Sequence, residues 1–422
     1  YLYSQLPVFS RIGPAAYKKD IHNTVALCEA LGNPQQNFKS IHIAGTNGKG
    51  STSHMLAAIL QQQGYRTGLY TSPHIHDFGE RIRINGRMIK EAFVIDFTER
   101  TKTLCDNIKP SFFELTVAMA FEYFSKEKVD IAIIETGLGG RLDSTNIINP
   151  VLSVITNIGM DHMNLLGDTI EQIAFEKAGI IKSQTPVVIG ETLPVTKKIF
   201  EEKAMQMQAP IIFSEELFDV KEISNNGLLM ECLVSNLINS GKENITTDLS
   251  GDYQLKNLRT VLTAVQTLNQ YGFSINNNST KQALTNVKKL TGIKGRWEVQ
   301  STNPMVVHDV AHNKDGITAI LQHLNKFHQE CNWHFVMGFV NDKDISGILE
   351  LLPTNSKYYF TNAHIQRALP HEELQRIAHK AGMIGNSFDD VNDAIQAAKE
   401  SAATNDVIVV CGSFFILSEV TQ

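Results

Sequence analysis

Short apolar strands alternate with helical stretches along most of the chain, and this pattern restricts the fold more than any other feature. In the first two-thirds of the chain, strands are predicted at residues 40–44, 67–71, 130–135, 152–156 and 186–189. Several of these strands are apolar throughout, as expected where helices cover both faces of a parallel sheet. The sequence therefore predicts an α/β fold with a doubly wound, mainly parallel sheet.

The helical patterns complete this domain. They cover residues 51–63 and 113–125, and a third helix is predicted to begin near Asp168, with Asp168 as its cap and Glu171 three residues on. The alternation of apolar strands and helices stops at residues 211–250, and this segment predicts a small antiparallel extension. Helices are then predicted at residues 255–270 and 281–290.

A second βα series follows the glycine-containing linker at residues 291–295. Its strands are predicted at residues 305–309, 334–338, 357–361 and 407–411. We therefore predict a P-loop-containing sheet domain over residues 1–295 and a smaller Rossmann-like α/β domain over residues 296–422.

Composition excludes several classes of protein. No apolar run among the 422 residues approaches the length of a membrane span, and the first residues lack a signal-peptide pattern. The net charge of −6 argues against nucleic acid as a partner. The five cysteines are scattered and odd in number, which argues against a disulfide framework. We expect a cytoplasmic, monomeric protein that binds neither nucleic acid nor membrane.

The loop after the first strand predicts a phosphate site. Residues 45–52 read Gly-Thr-Asn-Gly-Lys-Gly-Ser-Thr and lead directly into a helix. Glycines allow backbone N–H groups to surround a phosphate, and the helix N-terminus adds partial positive charge. Lys49 would reach the β- and γ-phosphates, and Ser51 or Thr52 could contact Mg²⁺. The loop departs from the general P-loop pattern at Ile43 and Gly50. A glycine-rich turn with a solvated lysine is the alternative.

Three further loops place metal-binding side chains after strands. Ser72 follows the second strand, Glu135 ends the third, and His162 follows the fourth. A carboxylate at the tip of a buried strand opposite a P-loop is where nucleotide hydrolases hold Mg²⁺. Each residue also has a simpler interpretation: a Ser-Pro turn, a solvated glutamate and a structural histidine. On this strand order, the three residues and Lys49 should share one sheet edge.

Lys177 lies late in a short helix among apolar neighbours. Alone, it suits a surface lysine near a helix C-terminus. If desolvated and neutral, its amine could react with CO₂ to give a carbamate that binds metal through oxygen.

Motifs over nearly the whole chain resemble a known family. The segments GTNGKGS, LYTSPH with ERIRING, ETGLGGRLDSTN, TNIGMDHMNLLGDT and EKAGIIK occur in the order seen in bacterial dihydrofolate synthase/folylpolyglutamate synthases of the Mur ligase superfamily. The resemblance thins between about residues 195 and 250. It resumes at LKN, KGRWE, HDVAHN and CGSFF. Where the family has His-Asn-Pro, this chain has His312, Asn313 and Lys314.

The resemblance implies a function and assigns site residues. It implies an ATP-dependent ligase of folate biosynthesis and one-carbon metabolism that adds L-glutamate to dihydropteroate, to a reduced folylpolyglutamate, or to both, through an acyl phosphate. The catalytic residues would be Lys49, His162 and Lys177. Mg²⁺, as one or two ions, would bind Ser72, Glu135, His162 and carbamylated Lys177. ATP would bind Asn47, Gly48, Lys49, Gly50, Ser51, Asn257, Arg296 and Asp309. The acceptor would bind Tyr17, Lys18, Lys19, Phe112, Phe113, Glu114, Leu142, Asp143 and Ser144.

Alternatives remain open for some of these residues and for the function. Phe112 and Phe113 have helical spacing with Leu115 and could be core residues, and Asp309 could be a helix N-cap. The chain could also be another amino-acid ligase of the superfamily, with a UDP-linked acceptor. Because the P-loop begins at Gly45, we expect no preceding UDP-binding domain, which favours the folate branch. A non-catalytic nucleotide switch would need the P-loop but not Glu135, His162 and Lys177 together.

Overall fold

The computed structural model describes residues 2, 6–7, 13, 18 and 20–421. The chain forms two compact units. The first runs to Asp248 and includes Gln254–Ile293, and the second comprises Leu249–Tyr253 and the chain from Lys294 onward. The sequence boundary between residues 295 and 296 lies close to Lys294. A single boundary misses the segment Leu249–Tyr253, which belongs to the second unit although first-unit residues precede and follow it.

The first unit contains an eight-stranded sheet with the order β4-β3-β2-β5-β1-β6-β7-β8. The pairs from β2 to β8 are parallel, and only β3 and β4 pair in antiparallel fashion at one edge. This sheet confirms the predicted doubly wound, mainly parallel fold. The strands are β1 (Lys39–Ala44), β2 (Thr67–Tyr70), β3 (Ile82–Ile84), β4 (Arg87–Met88), β5 (Ile131–Glu135), β6 (Leu152–Ile155), β7 (Val187–Ile189) and β8 (Ile211–Phe213).

Helices cover this sheet. They are α1 (His22–Ala30), α2 (Lys49–Gln62), α3 (Glu91–Ile108), α4 (Phe112–Lys126), α5 (Met163–Leu166), α6 (Ile170–Ala178), α7 (Pro194–Met207), α8 (Ser214–Leu217), α9 (Gln254–Gln270), α10 (Asn277–Leu284) and α11 (Val287–Thr291). The predicted Asp168 cap is wrong. Thr169 caps α6, because its extended backbone lets its hydroxyl accept a hydrogen bond from the Gln172 N–H.

The single helix predicted at residues 281–290 is two helices, α10 and α11. The chain breaks at Asn286, whose backbone is not helical. The Asp248 carboxylate, distant in sequence, accepts hydrogen bonds from the first two N–H groups of α11, at 3.1 Å from Val287 and 2.9 Å from Lys288. Local sequence cannot show such a cap.

The predicted antiparallel extension is confirmed as a three-stranded sheet of β9 (Phe218–Asn225), β10 (Met230–Asn236) and β11 (Lys242–Thr247). Its predicted start was wrong, because β8 at Ile211–Phe213 pairs with β7 in the main sheet.

The second unit has a six-stranded sheet with the order β12-β13-β17-β14-β15-β16, in which only β12 is antiparallel. The strands β12 and β16 were not predicted, because each is half-exposed at an edge and lacks an apolar run. The strands are β12 (Glu298–Thr302), β13 (Met305–His308), β14 (Trp333–Met337), β15 (Lys357–Thr361), β16 (Gly385–Phe388) and β17 (Val407–Cys411). The helices are α12 (Lys314–Phe327), α13 (Ile345–Leu349), α14 (His371–Lys380), α15 (Val391–Ser401) and α16 (Phe414–Glu419).

All five cysteines fall within the described part of the chain, and none forms a disulfide. Across the described residues, every helix is too short or too polar to cross a bilayer.

Candidate active site

Four loops leave the first sheet at one edge. The strands β2, β5, β1 and β6 lie side by side and parallel, so their carboxyl ends meet at the same edge. Ser72 follows β2, Glu135 ends β5, Lys49 begins the helix after β1, and His162 follows β6. The structure therefore brings together the starts of all four loops, at the edge where open α/β sheets bind ligands.

The loop after β1 is tightly packed, and at two of its glycines an added side chain would meet a neighbouring residue. Gly48 caps α2 in a left-handed conformation with φ of 82°. A Cβ atom on Gly48 would lie 2.2 Å from the Asn257 Oδ1, and one on Gly45 would lie 1.8 Å from the Thr156 Oγ1. The departures from the general P-loop pattern therefore leave a closely held strand–loop–helix turn, whose N–H groups suit phosphate.

The β6 loop holds the phosphate loop in place. The Asn157 side-chain oxygen accepts a hydrogen bond from the Asn47 N–H at 2.8 Å. The Thr46 hydroxyl bonds to both backbone groups of Gly159, at 2.9 and 3.1 Å. Asn157 was not predicted as a site residue, although its position at a strand end in the TNIG segment was a signal that could have identified it.

Two lysines converge on one carbonyl oxygen in this loop. The Lys49 amine donates to Gly45 O at 3.0 Å and to Thr46 O at 3.2 Å. The Lys177 amine donates to the same Gly45 oxygen at 2.8 Å. The interpretation of Lys177 as a surface residue is wrong, because its exposed fraction is 4%.

Burial changes the chemistry of Lys177. Burial and, to a smaller extent, the nearby Lys49 charge lower the pKa of the amine to about 7, although the Asp161 and Asp143 charges oppose the shift. A pKa of this value leaves much of the amine neutral near pH 7, and only the neutral amine can attack CO₂. The site thus supplies the condition that carbamate formation requires.

Close backbone packing sets the position of Lys177. The Arg141 N–H donates to Glu176 O at 2.8 Å, which joins the loop after β5 to α6. A Cβ on Gly140 would lie 2.9 Å from the carbonyl oxygens of both Glu176 and Lys177. The glycine pair of the GLGGR segment therefore allows α6 to approach the loop and directs Lys177 towards Gly45.

Ser72, Glu135 and His162 provide a hydroxyl, a carboxylate and an imidazole. Glu135 is 4% exposed, and His162 has a left-handed backbone with φ of 51°. Such strain in a non-glycine residue persists only where its surroundings impose it and is common at active sites. The His162 N–H bonds to the Asp161 carboxylate at 2.8 Å.

Within the described residues, no three histidine, cysteine, aspartate or glutamate side chains form a ready-made metal cluster. The predicted set has only two such residues, and its other members are a hydroxyl and a lysine. With Lys177 carbamylated, three of the four members would offer oxygen, which suits a hard cation such as Mg²⁺ that also takes water and phosphate oxygens as ligands. The residue types fit the predicted metal.

The predicted acceptor-binding residues of α4 differ in how deeply they are buried. Phe112 is 3% exposed and lies against Arg81, whose guanidinium is 5.2 Å from the ring centroid. Phe113 is only partly buried. Its ring packs on the loop after β5, where a Cβ on Gly137 would come within 2.4 Å of it. Of the two, Phe113 is the better placed to contact a ligand.

Glu114 has a structural function in α4. Its carboxylate accepts a hydrogen bond from the Ser111 N–H at 2.6 Å, and the Ser111 hydroxyl accepts one from the Glu114 N–H, which forms a capping box. The Lys18 amine lies 3.9 Å from this carboxylate and donates to Lys109 O at 2.7 Å. Tyr17 and Lys19 lie outside the described residues.

Asp143 is the most buried member of the predicted segment Leu142, Asp143 and Ser144, with 2% exposure. One of its oxygens accepts a hydrogen bond from the Leu138 N–H at 2.8 Å, and the other accepts from the Thr145 N–H at 3.0 Å and from its hydroxyl. Burial raises the pKa of the carboxyl group, and these hydrogen bonds oppose the rise. Asp143 therefore fixes the shape of the loop after β5.

The start of α9 reaches the phosphate loop. The Asn257 amide donates to Gln254 Oε1 at 2.8 Å, and the Gln254 amide donates to Ser51 Oγ at 3.1 Å. Both residues are buried. Asn257 was predicted from the sequence, whereas Gln254 was not, because its hydrogen bond to Ser51 joins residues that are 203 positions apart in the chain.

In the second unit, Asp309 follows β13 and is 3% exposed. Its carboxylate accepts hydrogen bonds from the Tyr253 hydroxyl at 2.6 Å, from the Trp297 N–H at 2.8 Å and from the Ala311 N–H at 2.9 Å. The alternative of a helix N-cap is wrong, because Asn313 caps α12.

Arg296 and Lys314 also lie in the second unit. The Arg296 guanidinium lies 5.2 Å from the Phe414 ring centroid, a cation–π distance. Lys314, which replaces the proline of the family motif, is the first residue of α12. Proline and lysine are both tolerated at that position, so the replacement leaves the helix start intact.

Comparison with known proteins decides the family. The Mur ligase middle domain matches residues 43–265, and the Mur ligase, glutamate ligase domain matches residues 295–414. The dihydrofolate synthase/folylpolyglutamate synthase of Bacillus subtilis is 32% identical over 94% of this chain and 93% of its own length. The chain belongs to this family of Mur ligases.

Two solved structures of the family are similar to the whole chain. Escherichia coli FolC in complex with DHPP and ADP has a TM-score of 0.86 and 27% identity, and the match covers 99% of this chain and 94% of that one. The bifunctional synthase of Yersinia pestis complexed with AMPPNP and a Mn ion has a TM-score of 0.82 and 28% identity, over 95% and 92% of the two chains. The expected family membership is confirmed.

Proposed function

We propose that this Mur-family ligase uses ATP to join L-glutamate to the carboxylate of dihydropteroate, of a reduced folylpolyglutamate, or of both. The convergence of Lys49 and buried Lys177 on the Gly45 carbonyl, at the edge that also carries Glu135, is the observation that supports it best. A phosphate-binding loop alone would suit many nucleotide-binding proteins. A second, desolvated lysine beside it suits an enzyme that activates a carboxylate.

The reaction has two balanced steps. In the first, an oxygen of the acceptor carboxylate attacks the γ-phosphorus of ATP, so that ADP leaves and an acyl phosphate forms. In the second, the neutral amine of glutamate attacks the acyl carbon, phosphate leaves, and the nitrogen loses a proton to give the amide. Positioning and charge neutralisation dominate such phosphoryl transfer.

The phosphate loop supplies much of that positioning. The N–H groups of residues 47–51 would bind the phosphates, and Lys49 would neutralise the charge that develops on the transferred group. Asn257 would contact the nucleotide from the start of α9, beside Gly48. We assign nucleotide contacts to Arg296 and Asp309 on the family resemblance.

We assign Mg²⁺ to Ser72, Glu135, His162 and, once carbamylated, Lys177. Bound there, the metal would withdraw charge from the phosphate oxygens. The hydrogen bond from the His162 N–H to the Asp161 carboxylate would support the left-handed backbone that orients the imidazole.

The acceptor would bind at the loop after β5, against Phe113 and the residues Leu142, Asp143 and Ser144. Phe113 offers a partly buried aromatic face, which suits a flat heterocycle. Phe112 and Glu114 would support this surface from the core and the helix cap. We also assign acceptor contacts to Lys18 and to its neighbours Tyr17 and Lys19.

The test is ATP-dependent phosphate release with each acceptor in turn. We expect release to require L-glutamate together with dihydropteroate or a reduced folate, and the product to gain one glutamyl residue by mass spectrometry. Absence of release with both acceptors would contradict the proposal. Release with a UDP-linked muramyl acceptor instead would assign the chain to another branch of the superfamily.

A variant separates an enzyme from a nucleotide switch. His162→Ala removes a proposed metal ligand but leaves the phosphate loop. We expect this variant to keep nucleotide binding and to lose most turnover, whereas a switch would be unaffected in its ATP-dependent behaviour.

A further inference from the structure

A buried histidine in β1 is connected to the loop after β5 through two hydrogen bonds. His42 is fully buried, and its Nε2 lies 2.8 Å from the Thr145 Oγ1. The Thr145 hydroxyl in turn bonds to the Asp143 Oδ1. The remainder of β1, apart from Lys39 and Ser40, is apolar. A polar side chain in such a strand is costly unless its hydrogen bonds compensate for the lost water.

The direction of each hydrogen bond follows from the chemistry of the three groups. A carboxylate can only accept, so the single hydroxyl proton of Thr145 points to Asp143. Thr145 must then accept from His42, which makes His42 the neutral tautomer with its proton on Nε2. Burial, assisted by the charge of Lys182, lowers the pKa of His42 to about 3 and keeps the ring neutral. The Nδ1 atom is buried and has no hydrogen-bond partner among the described residues.

The Asp143 carboxylate also connects the two sides of the loop after β5. The second oxygen of Asp143 accepts from the Leu138 N–H, so Asp143 ties the start of the loop to Thr145 at its far side. Asn146 then joins the loop to the end of α6, by donating to Arg141 O at 3.0 Å and to Gly179 O at 3.1 Å. A shift of Thr145 would therefore move the segment between residues 138 and 146.

We propose that His42 and Thr145 are positioning residues that hold Asp143, and with it the loop of residues 137–147, in the conformation that binds the acceptor. This inference rests on the proposed function for its effect on catalysis. Both residues are fully buried, so we expect them to act on the acceptor through Asp143 and not by direct contact. His42 acts from the interior of the sheet, through the orientation of one hydroxyl group.

Two pairs of variants test the chain of hydrogen bonds. Thr145→Val keeps the shape of the side chain and removes the hydroxyl, whereas Thr145→Ser keeps the hydroxyl. His42→Gln can place an amide N–H near the position of Nε2, whereas His42→Asn can place it only near Nδ1. We expect Thr145→Val and His42→Asn to raise the KM for the acceptor about tenfold, the effect of losing one such contact. Thr145→Ser and His42→Gln should stay near the wild type.

The KM for ATP distinguishes positioning from general damage. It should change less than about twofold in all four variants, because the phosphate loop is not part of this chain of bonds. The double variant Thr145→Val/His42→Asn should be no worse than either single variant, since both break the same connection. Equal increases in the two KM values, or full additivity, would overturn the proposal.

Hydrogen exchange provides a readout that does not depend on the reaction. Thr145→Val and His42→Asn should speed exchange of the amides in residues 137–147 about tenfold, with residues 45–52 unchanged. If the wild type shows no ligase activity, the proposed function fails, and the exchange result still decides the inference. Unchanged exchange in residues 137–147 would overturn it.

Discussion

Lys177 shows how burial changes the chemistry of one residue. Its amine shares the Gly45 carbonyl with Lys49, but only Lys177 is almost fully enclosed. Its identity and its place near the end of a helix could be read from the sequence. Its burial could not, because it depends on how closely α6 approaches the glycines of the loop after β5.

Replacement of Lys177 by arginine tests its chemistry. Lys177→Arg keeps a positive group but cannot form a carbamate, and we expect kcat to fall about 100-fold. Wild-type activity should rise when bicarbonate is added to CO₂-depleted buffer, whereas the variant should not respond. Lys182→Arg is the matched control, because the half-buried Lys182 also has a lowered pKa, of about 8, and also donates to a carbonyl group. A variant at Lys177 with normal kcat would exclude a catalytic role for the lysine.

His42 makes stability depend on pH. Its pKa is about 3 in the folded chain and 6.5 in the unfolded chain. Between these values the unfolded chain binds more protons, so the free energy of unfolding must fall as the pH falls below about 6.5. From pH 6.5 to 5 this group contributes a loss of about 2 kcal/mol. Urea unfolding should show a smaller loss for His42→Gln than for the wild type over that range, and equal losses would contradict the shifted pKa.

At the scale of elements, the strand–loop–helix turn of β1 and α2 depends on backbone that only glycine can provide. Gly48→Ala would force a left-handed alanine and place its Cβ 2.2 Å from the Asn257 Oδ1. We expect ATP affinity to fall at least about tenfold, measured by titration with a fluorescent nucleotide.

Gly64 supplies the matched control at the other end of α2. It has a φ of 103° but nothing within 4 Å of an added Cβ. Gly64→Ala should therefore cost about 1–2 kcal/mol of stability and leave ATP affinity unchanged. Similar losses of affinity in both variants would show that general destabilisation, and not the contact with Asn257, lowers the ATP affinity.

The elements that sequence predicts well are those whose signal is local. Apolar strands such as β1 and β5, and the long helices α2 and α4, were predicted to within a few residues. The cap of α11 was not, because Asp248 provides it from outside the helix. The edge strands β12 and β16 were missed because half-exposed strands need no apolar run. Local pattern thus predicts the central sheet and the four loops at its edge, and tertiary contacts determine the remainder.

At the scale of the whole molecule, more than one boundary along the chain separates the two units. The segment Leu249–Tyr253 belongs to the second unit, although the chain then returns to the first unit at Gln254. The Asp252 carboxylate bonds to His323 at 3.1 Å, and Tyr253 bonds to Asp309. No composition change marks these five residues, so the sequence predicted only one boundary.

Tyr253→Phe tests whether this segment stabilises the second unit. The change removes one of the donors to the buried Asp309 carboxylate and leaves those from Trp297 and Ala311. We expect the free energy of unfolding of the second unit to fall by about 1–3 kcal/mol. The only two tryptophans of the chain, Trp297 and Trp333, lie in this unit, so their fluorescence follows its unfolding in urea.

A tyrosine of the first unit provides the comparison. Tyr271 is 48% exposed, and Tyr271→Phe should change stability by less than about 0.5 kcal/mol. In Tyr253→Phe, the tryptophan transition should move to lower urea than in Tyr271→Phe. If the two variants unfold at the same urea concentration, the Tyr253 hydroxyl contributes nothing measurable, and the backbone N–H groups alone satisfy Asp309. Far-UV circular dichroism follows the unfolding of the whole chain. If the urea midpoint shifts in the tryptophan signal but not in the circular dichroism, the effect belongs to the second unit.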